Sequence, residues 1–333
     1  MNRWVYSIGL GAVLSCQSTM ATASDASMCV FDLLGTSGET FALMKDYALA
    51  SKSLGVDLTL LPYTDETAAI NDYRNKKCDM VTATGISTRE FNRFVGTLNA
   101  QGAVPTPEVA NVAMRLVANP KLKKDMSNGR HEVAGVVPMG SVYMLTSGNW
   151  FKTFADMHGR TVGYFETDPA QEHAWSRLGL KAVPLTTAKY NQKFNQGQLD
   201  VLPAPVIAIK PLELETGLNR KGGVIVRYPI VYISWMVVLD KDKFPKDFGE
   251  NSRIWFNNQL PKVFRTIKRL EDSVPKKYWA EVSNRDQESY NILMRQISQR
   301  YVKDGIYDAK MITILKRVRC QLNPTATECS QTD

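Results

Sequence analysis

Beyond the first two dozen residues the chain has no apolar run near the ~20 residues that a membrane-spanning helix needs. Histidine is scarce: His131, His158 and His173 stand far apart, and none has a ligand partner at i+3 or i+4. A histidine-based metal centre therefore has no basis, and no metal is expected. There is no C-x-x-C for dithiol redox chemistry and no Walker A sequence. Gly35-Thr36-Ser37-Gly38 lacks the G-x-S-x-G spacing of a nucleophile elbow, and no base is identifiable for it. Gly9-Leu10-Gly11 falls inside an N-terminal segment that reads as a signal peptide, the wrong context for a dinucleotide turn. These absences argue against an enzyme and against any cofactor. No nucleic-acid recognition motif is present either.

What is present begins with an export pattern. Arg3 precedes the apolar run Trp4–Leu14, and small residues lead to Ala21-Thr22-Ala23. This reads as a signal peptide over 1–23, too short to be an anchor, and places the mature protein in the periplasm. The alternative is a lipoprotein signal ending at Cys16 after Val13-Leu14-Ser15. At 333 residues the chain is long enough for two lobes, each with its own core. The net charge of +8 is concentrated beyond residue 260, where Lys262, Arg265, Lys268 and Arg269 alternate with apolar residues at helical spacing. We read them as the solvated face of amphipathic helices rather than a surface for an acidic partner.

Turn chemistry sets out the elements. Met28–Leu34 reads as a strand, and Thr36 with Glu39 as a capping box for a helix over Phe41–Lys52. A strand Val56–Leu61, a helix Asp65–Lys77 and a strand Cys78–Ala83 complete a β-α-β-α-β run. A helix with Pro107 at its start follows, then strands Val133–Pro138 and Val142–Thr146 on either side of Met139-Gly140, where the chain is expected to cross between lobes. The second β-α-β-α-β run occupies 153–212. Gly159 precedes the strand Thr161–Phe165, Asp168-Pro169 opens a helix that Gly179 stops, and Lys181–Leu185 is the next strand. Thr187 is expected to cap a helix ending at Gly197, and Leu199–Leu202 to be a strand broken by Pro203 and Pro205. Gly223–Leu239, interrupted by Arg227 and Pro229, reads as two strands returning to the first lobe, with helices from Pro245 to about Leu315. The expected organisation is 24–135 for the first part of lobe I, 136–222 for lobe II, and 223–333 for the return strands and C-terminal helices.

The ordered series Phe154, Asp156, Gly159-Arg160, Val162, Leu178-Gly179, Val183-Pro184-Leu185, Tyr190, Gly197 and Asp200 resembles the second lobe of type II periplasmic solute-binding proteins. It is nearest the extracytoplasmic subunits of TRAP transporters. The resemblance covers roughly 60 residues and is topological elsewhere. The whole chain is also similar to the AdeT-like proteins described with RND-type aminoglycoside efflux. These resemblances imply an α/β, two-lobed type II periplasmic-binding-protein-like fold with a helical C-terminal extension. They imply that the strands opened by Cys29 and Cys78 are neighbours, so that Cys29–Cys78 and Cys320–Cys329 are the expected disulfides.

The implied site is an interlobe cleft built from strand ends and helix starts. In lobe I, Thr36, Ser37 and Gly38 are expected to offer backbone N–H groups, with Thr84, Gly85 and Ser87 after the third strand and Arg89 beyond them. In lobe II the candidates are Tyr164, Phe165, Glu166, Asp168 and Pro203, with Tyr232 and Trp235 as an aromatic wall near the hinge. TRAP subunits usually carry a carboxylate-gripping arginine at the position occupied here by Gly163. With Glu166 and Asp168 close by, a neutral, polar or cationic ligand is expected over a carboxylate, unless Arg89 from the other lobe restores an anion site. The expected function is capture of a small polar solute by a monomer and its delivery to an inner-membrane transporter. The alternative is an accessory periplasmic protein contacting components of an RND-type efflux system.

Overall fold

The computed structural model describes residues 24–166, 168–186 and 189–330. The leader, Cys16, Thr167 and the expected cap Thr187 lie outside the described residues. The strands are β1 (Ser24–Phe31), β2 (Val56–Tyr63), β3 (Met80–Thr84), β4 (Ser127–Asn128), β5 (His131–Thr146), β6 (Thr161–Phe165), β7 (Lys181–Leu185), β8 (Val201–Pro205), β9 (Ile225–Val226), β10 (Val231–Asp240) and β11 (Trp279–Ala280). The helices are α1 (Glu39–Ser53), α2 (Glu66–Arg74), α3 (Arg93–Gly96), α4 (Pro107–Arg115), α5 (Pro169–Arg177), α6 (Tyr190–Asn195), α7 (Glu215–Asn219), α8 (Phe248–Asp272), α9 (Asn284–Lys303) and α10 (Ala309–Leu322).

The main sheet path runs β2-β1-β3-β10-β5-β8-β6-β7. β1, β2 and β3 are mutually parallel at one end, and β6, β7 and β8 at the other. β10 and β5 join the two groups as an antiparallel pair. This gives two lobes on one continuous sheet, with β5 and β10 as the connection.

β5 corrects one sequence expectation. Val133–Pro138 and Val142–Thr146 are not separate strands but one 16-residue strand. The register opposes Ile233 to Gly140 and Ser234 to Pro138, so Met139 is an unpaired bulge residue. Gly140 has φ +111°, which a side chain rarely adopts, and a Cβ there would lie 3.0 Å from Ile267 on α8. A Cβ at Gly135 would lie 2.2 Å from Phe256 of the same helix. Helix α8 thus presses directly onto β5 along its length of about 37 Å. It buries Phe248, Ser252, Phe256, Leu260 and Ile267, the spacing of one helix face.

β8 corrects a second. It continues through Pro203 and ends at Pro205 instead of breaking before them. β8 pairs along its length with β5, but with β6 only at Val201–Val162. Pro203 and Pro205 therefore pair only with Met144 and Val142 of β5, and the β6-facing side of β8 has no ladder there for them to complete.

Other expectations hold. Asp168 is the N-cap of α5 with Pro169 in the first turn, and Gly159, Gly179 and Gly197 have φ between +72° and +75°. β9 and β10 are the two strands expected in 223–239. Cys29–Cys78 ties β1 to the residue two before β3, with Cα atoms 5.8 Å apart, and Cys320–Cys329 closes the end of α10. Among the described residues no helix is long and apolar enough to cross a membrane.

Candidate functional site

The C-terminal ends of β1 and β3 face those of β6 and β8 across the β5–β10 connection, and cavities occupy the space between. An inner chamber of about 70 Å³ is walled by Phe31, Glu66, Thr84, Ile86 and Ser87 from the first lobe. Phe165, Tyr190, Pro205 and Leu212 close it from the second lobe, and Met139, Ile233 and Trp235 from the connecting strands. A second inner chamber of about 60 Å³ shares Ile86, Phe165, Tyr190, Pro205 and Ile233 with the first, and adds Asn99, Gln101, Asp168, Trp175, Pro203 and Tyr307. An outer, mostly apolar cavity of about 390 Å³ adjoins the first chamber at Leu33, Met139 and Trp235, and runs between α1, α8 and residues 206–211.

The aromatic walls are fixed in place. Phe165 stacks on Tyr190 with centroids 4.4 Å apart and rings 9° from parallel. Trp235 meets Phe31 edge-on at 5.3 Å. At the connection, Ser234 N–H donates to Asn99 Oδ1 at 2.8 Å, and Gly85 N–H donates to the Ser234 carbonyl at 2.7 Å. Gly85 has no room for a side chain, because a Cβ would stand 2.1 Å from Asn99 Nδ2.

The polar groups are few. Glu66, in the first turn of α2, accepts from Thr84 N–H at 2.7 Å and from the Ser87 hydroxyl at 2.9 Å. Burial pushes its pKa up, against the lowering effect of these hydrogen bonds. In the second chamber Asp168 stands 3.8 Å from Arg89, which lies over the Tyr307 ring at 5.2 Å. Trp175 Nε1 and Arg89 Nε are buried without a hydrogen-bond partner among the described residues.

Of the residues expected from sequence, the structure brings Thr84, Ser87, Phe165, Asp168, Pro203 and Trp235 to these inner walls. Gly85 lies behind them. Tyr164 is buried and donates to Glu172 at 3.1 Å, while Glu166 is exposed and lines none of the three cavities. Tyr232 is buried against Phe264, and its hydroxyl has no hydrogen-bond partner among the described residues. Arg89 is engaged with Asp168 and Tyr307 rather than open to an anion.

The turn Thr36-Ser37-Gly38 departs from the capping reading. Thr36 and Glu39 form no capping box; the N-cap of α1 is Gly38, without a side-chain bond. Asp32 does the capping instead, accepting from Leu34, Thr40 and Phe41 N–H at 2.9–3.1 Å. Ser37 and Gly38 N–H groups are spent within the turn. Thr36 and Ser37 are exposed, and Gly38 borders the outer cavity. A Cβ on Gly38 would come within 1.8 Å of Asp32 Oδ1, so this close cap requires glycine.

Gly163 is also accounted for. A Cβ there would lie 2.5 Å from Leu185, 3.1 Å from Leu199 and 3.3 Å from Leu202. The position faces the packed interior of the second lobe and holds no arginine because it holds no side chain. Glu66, Asn99, Tyr190, Trp175 and Tyr307 were missed by sequence reasoning. A carboxylate directly after the N-cap Asp65 reads as ordinary helix-dipole complement, which is why Glu66 gave no signal.

The family profile described as "Solute-binding protein AdeT 1/2" matches residues 48–333. The chain is 39% identical over 304 residues to the probable solute-binding protein AdeT1 of Acinetobacter baumannii, covering 91% of this chain and all of that one. Among solved structures it is similar to a TRAP periplasmic solute-binding protein from Ochrobactrum anthropi, with TM-score 0.73, 13% identity, and coverage of 92% of this chain and 98% of that one. It is likewise similar to a TRAP periplasmic solute-binding protein from Desulfovibrio salexigens with bound orotic acid, with TM-score 0.72, 12% identity, and coverage of 90% and 99%. At such identities the structures speak for the fold, whereas the profile and the close relative speak for descent: the chain belongs to the AdeT 1/2 family of solute-binding proteins.

Proposed function

We propose that the protein is a periplasmic receptor that captures one small solute between its lobes, closes on it, and delivers it to an inner-membrane transporter. The observation that carries this reading is the position of the inner chambers. Each is walled by residues from both lobes and from the connecting strands β5 and β10, so a bound solute would hold the lobes together. The Met139–Gly140 bulge gives β5 a place to bend. The family description and the bound small molecule of the Desulfovibrio neighbour support capture by closure over an accessory role made of protein contacts alone. Disulfides on β1 and α10 suit an oxidising compartment. Small-angle scattering of the purified protein, with and without solutes chosen by a thermal-shift screen, tests the reading. A solute that raises Tm should also reduce the radius of gyration. Stabilising solutes that leave the shape unchanged would overturn closure.

A further inference from the structure

Glu66 is buried at the wall of the inner chamber, and no lysine or arginine pairs with it among the described residues. Its two oxygens hold Thr84 N–H and the Ser87 hydroxyl, which leaves acceptor capacity on each. Among the described residues no lysine or arginine lines either inner chamber. Asp168, the second carboxylate there, already has Arg89 beside it. A buried carboxylate without a counter-ion is costly, and a cation placed against it removes that cost.

The rest of the wall matches one kind of cation. Phe31, Phe165, Tyr190 and Trp235 line the chamber, and the face of an aromatic ring attracts an ammonium group. The outer cavity beyond Leu33, Met139 and Trp235 is mostly apolar, with Asp46, Lys210 and Lys262 among its lining, and is large enough for a hydrocarbon or aryl group. Head and body are thus read by two adjoining spaces.

We infer that the solute is a small primary amine with an apolar body, its ammonium held by Glu66 in the inner chamber and its body extending into the outer cavity. This rests on the solute-capture reading and specifies its ligand class. Glu66 is a binding residue, beyond its role of tying α2 to the end of β3. The ionised carboxylate is the form that holds the ammonium, so amine affinity falls as pH is lowered. The other ionisable groups acting there are Asp65 on the same turn and Tyr190 across the chamber, and neither supplies positive charge.

The test is calorimetric titration of the full exported protein with 2-phenylethylamine, 2-phenylethanol and phenylacetate, which share a body and differ in head group. The amine should bind, the alcohol at least about tenfold more weakly, and the acid not at all. Glu66→Gln should bring the amine down to the affinity of the alcohol. Should that variant not fold, the same titration of the native protein at falling pH should show amine affinity lost and alcohol affinity retained. Tighter binding of the acid or alcohol, amine affinity indifferent to Glu66→Gln and to pH, or no binding of any probe at millimolar concentration overturns the inference. If polar metabolites of another class then stabilise and close the protein, solute capture stands with a different ligand; if no solute of any class does, both fall.

Discussion

Arg89 of the first lobe and Asp168 of the second stand 3.8 Å apart with both side chains about nine-tenths buried, so one ion pair joins the lobes across the inner chambers. Arg89 lies on the turn after β3, and Asp168 caps α5 after β6. Tyr301 of α9 reinforces this side by donating to the Ala170 carbonyl.

Asp168→Asn leaves Arg89 buried without its partner, a change that costs about 3–5 kcal/mol when the site cannot relax. Here it can relax, because opening the lobes returns Arg89 to water. The expected outcome is therefore a larger radius of gyration and weaker solute binding, with a loss of unfolding free energy below about 3 kcal/mol. Scattering and urea denaturation of the variant check both. A variant as closed and as stable as the parent would remove the pair from any role in closure.

The two disulfides differ in the chain they enclose, 49 residues of separation against 9. On loop-closure entropy, removing Cys29–Cys78 should cost about 4 kcal/mol, and removing Cys320–Cys329 about 2.5 kcal/mol. Paired Cys→Ala variants compared by urea midpoint should fall in that order. Non-reducing digestion and mass spectrometry should recover these two pairings and no others.

Glu66 gives stability a pH dependence of definite sign. Burial raises its folded-state pKa above the ordinary 4.5. As pH climbs past the unfolded value the unfolded chain loses its proton first, so this group lowers stability between the two pKa values and holds it lowered above both. Glu66→Gln should therefore raise the Tm of the solute-free protein at neutral pH, and the gain should vanish as the solution is acidified below both values. Melting curves of the two proteins across pH decide it; a Gln variant less stable at neutral pH would contradict the reading.

Gly163 tests whether the carboxylate grip of TRAP subunits can be restored. Gly163→Ala should cost about 1–3 kcal/mol through contact with Leu185, Leu199 and Leu202. Gly163→Arg should disrupt the second lobe and confer no carboxylate binding, as a thermal-shift series with organic acids will show. A folded arginine variant that binds such acids would mean that the leucines part readily.

Much of this fold was legible because its signals are local. Asp168-Pro169, Gly159, Gly179 and Gly197 mark turns by backbone chemistry alone, and the second β-α-β-α-β run followed from them. What escaped depends on partners distant in sequence. Met139-Gly140 looked like a break because a glycine at positive φ marks a turn and a bulge alike, and only the ladder with β10 distinguishes them. Thr36 and Glu39 had capping-box spacing, yet Asp32 reached the helix first from the end of β1. Part of the inner wall was visible as strand ends, whereas Glu66, Asn99 and Tyr307 enter it from elements whose approach only the folded chain establishes.

Closure on a solute is the central claim, and distance between lobes reads it directly. Dyes on Leu49→Cys in α1 and Gln192→Cys in α6, both exposed positions, report the separation by energy transfer while the four disulfide cysteines stay paired. The account predicts that transfer efficiency rises and saturates as a stabilising solute is added, and that Asp168→Asn starts from a lower value. Transfer that stays constant while the solute binds would contradict it.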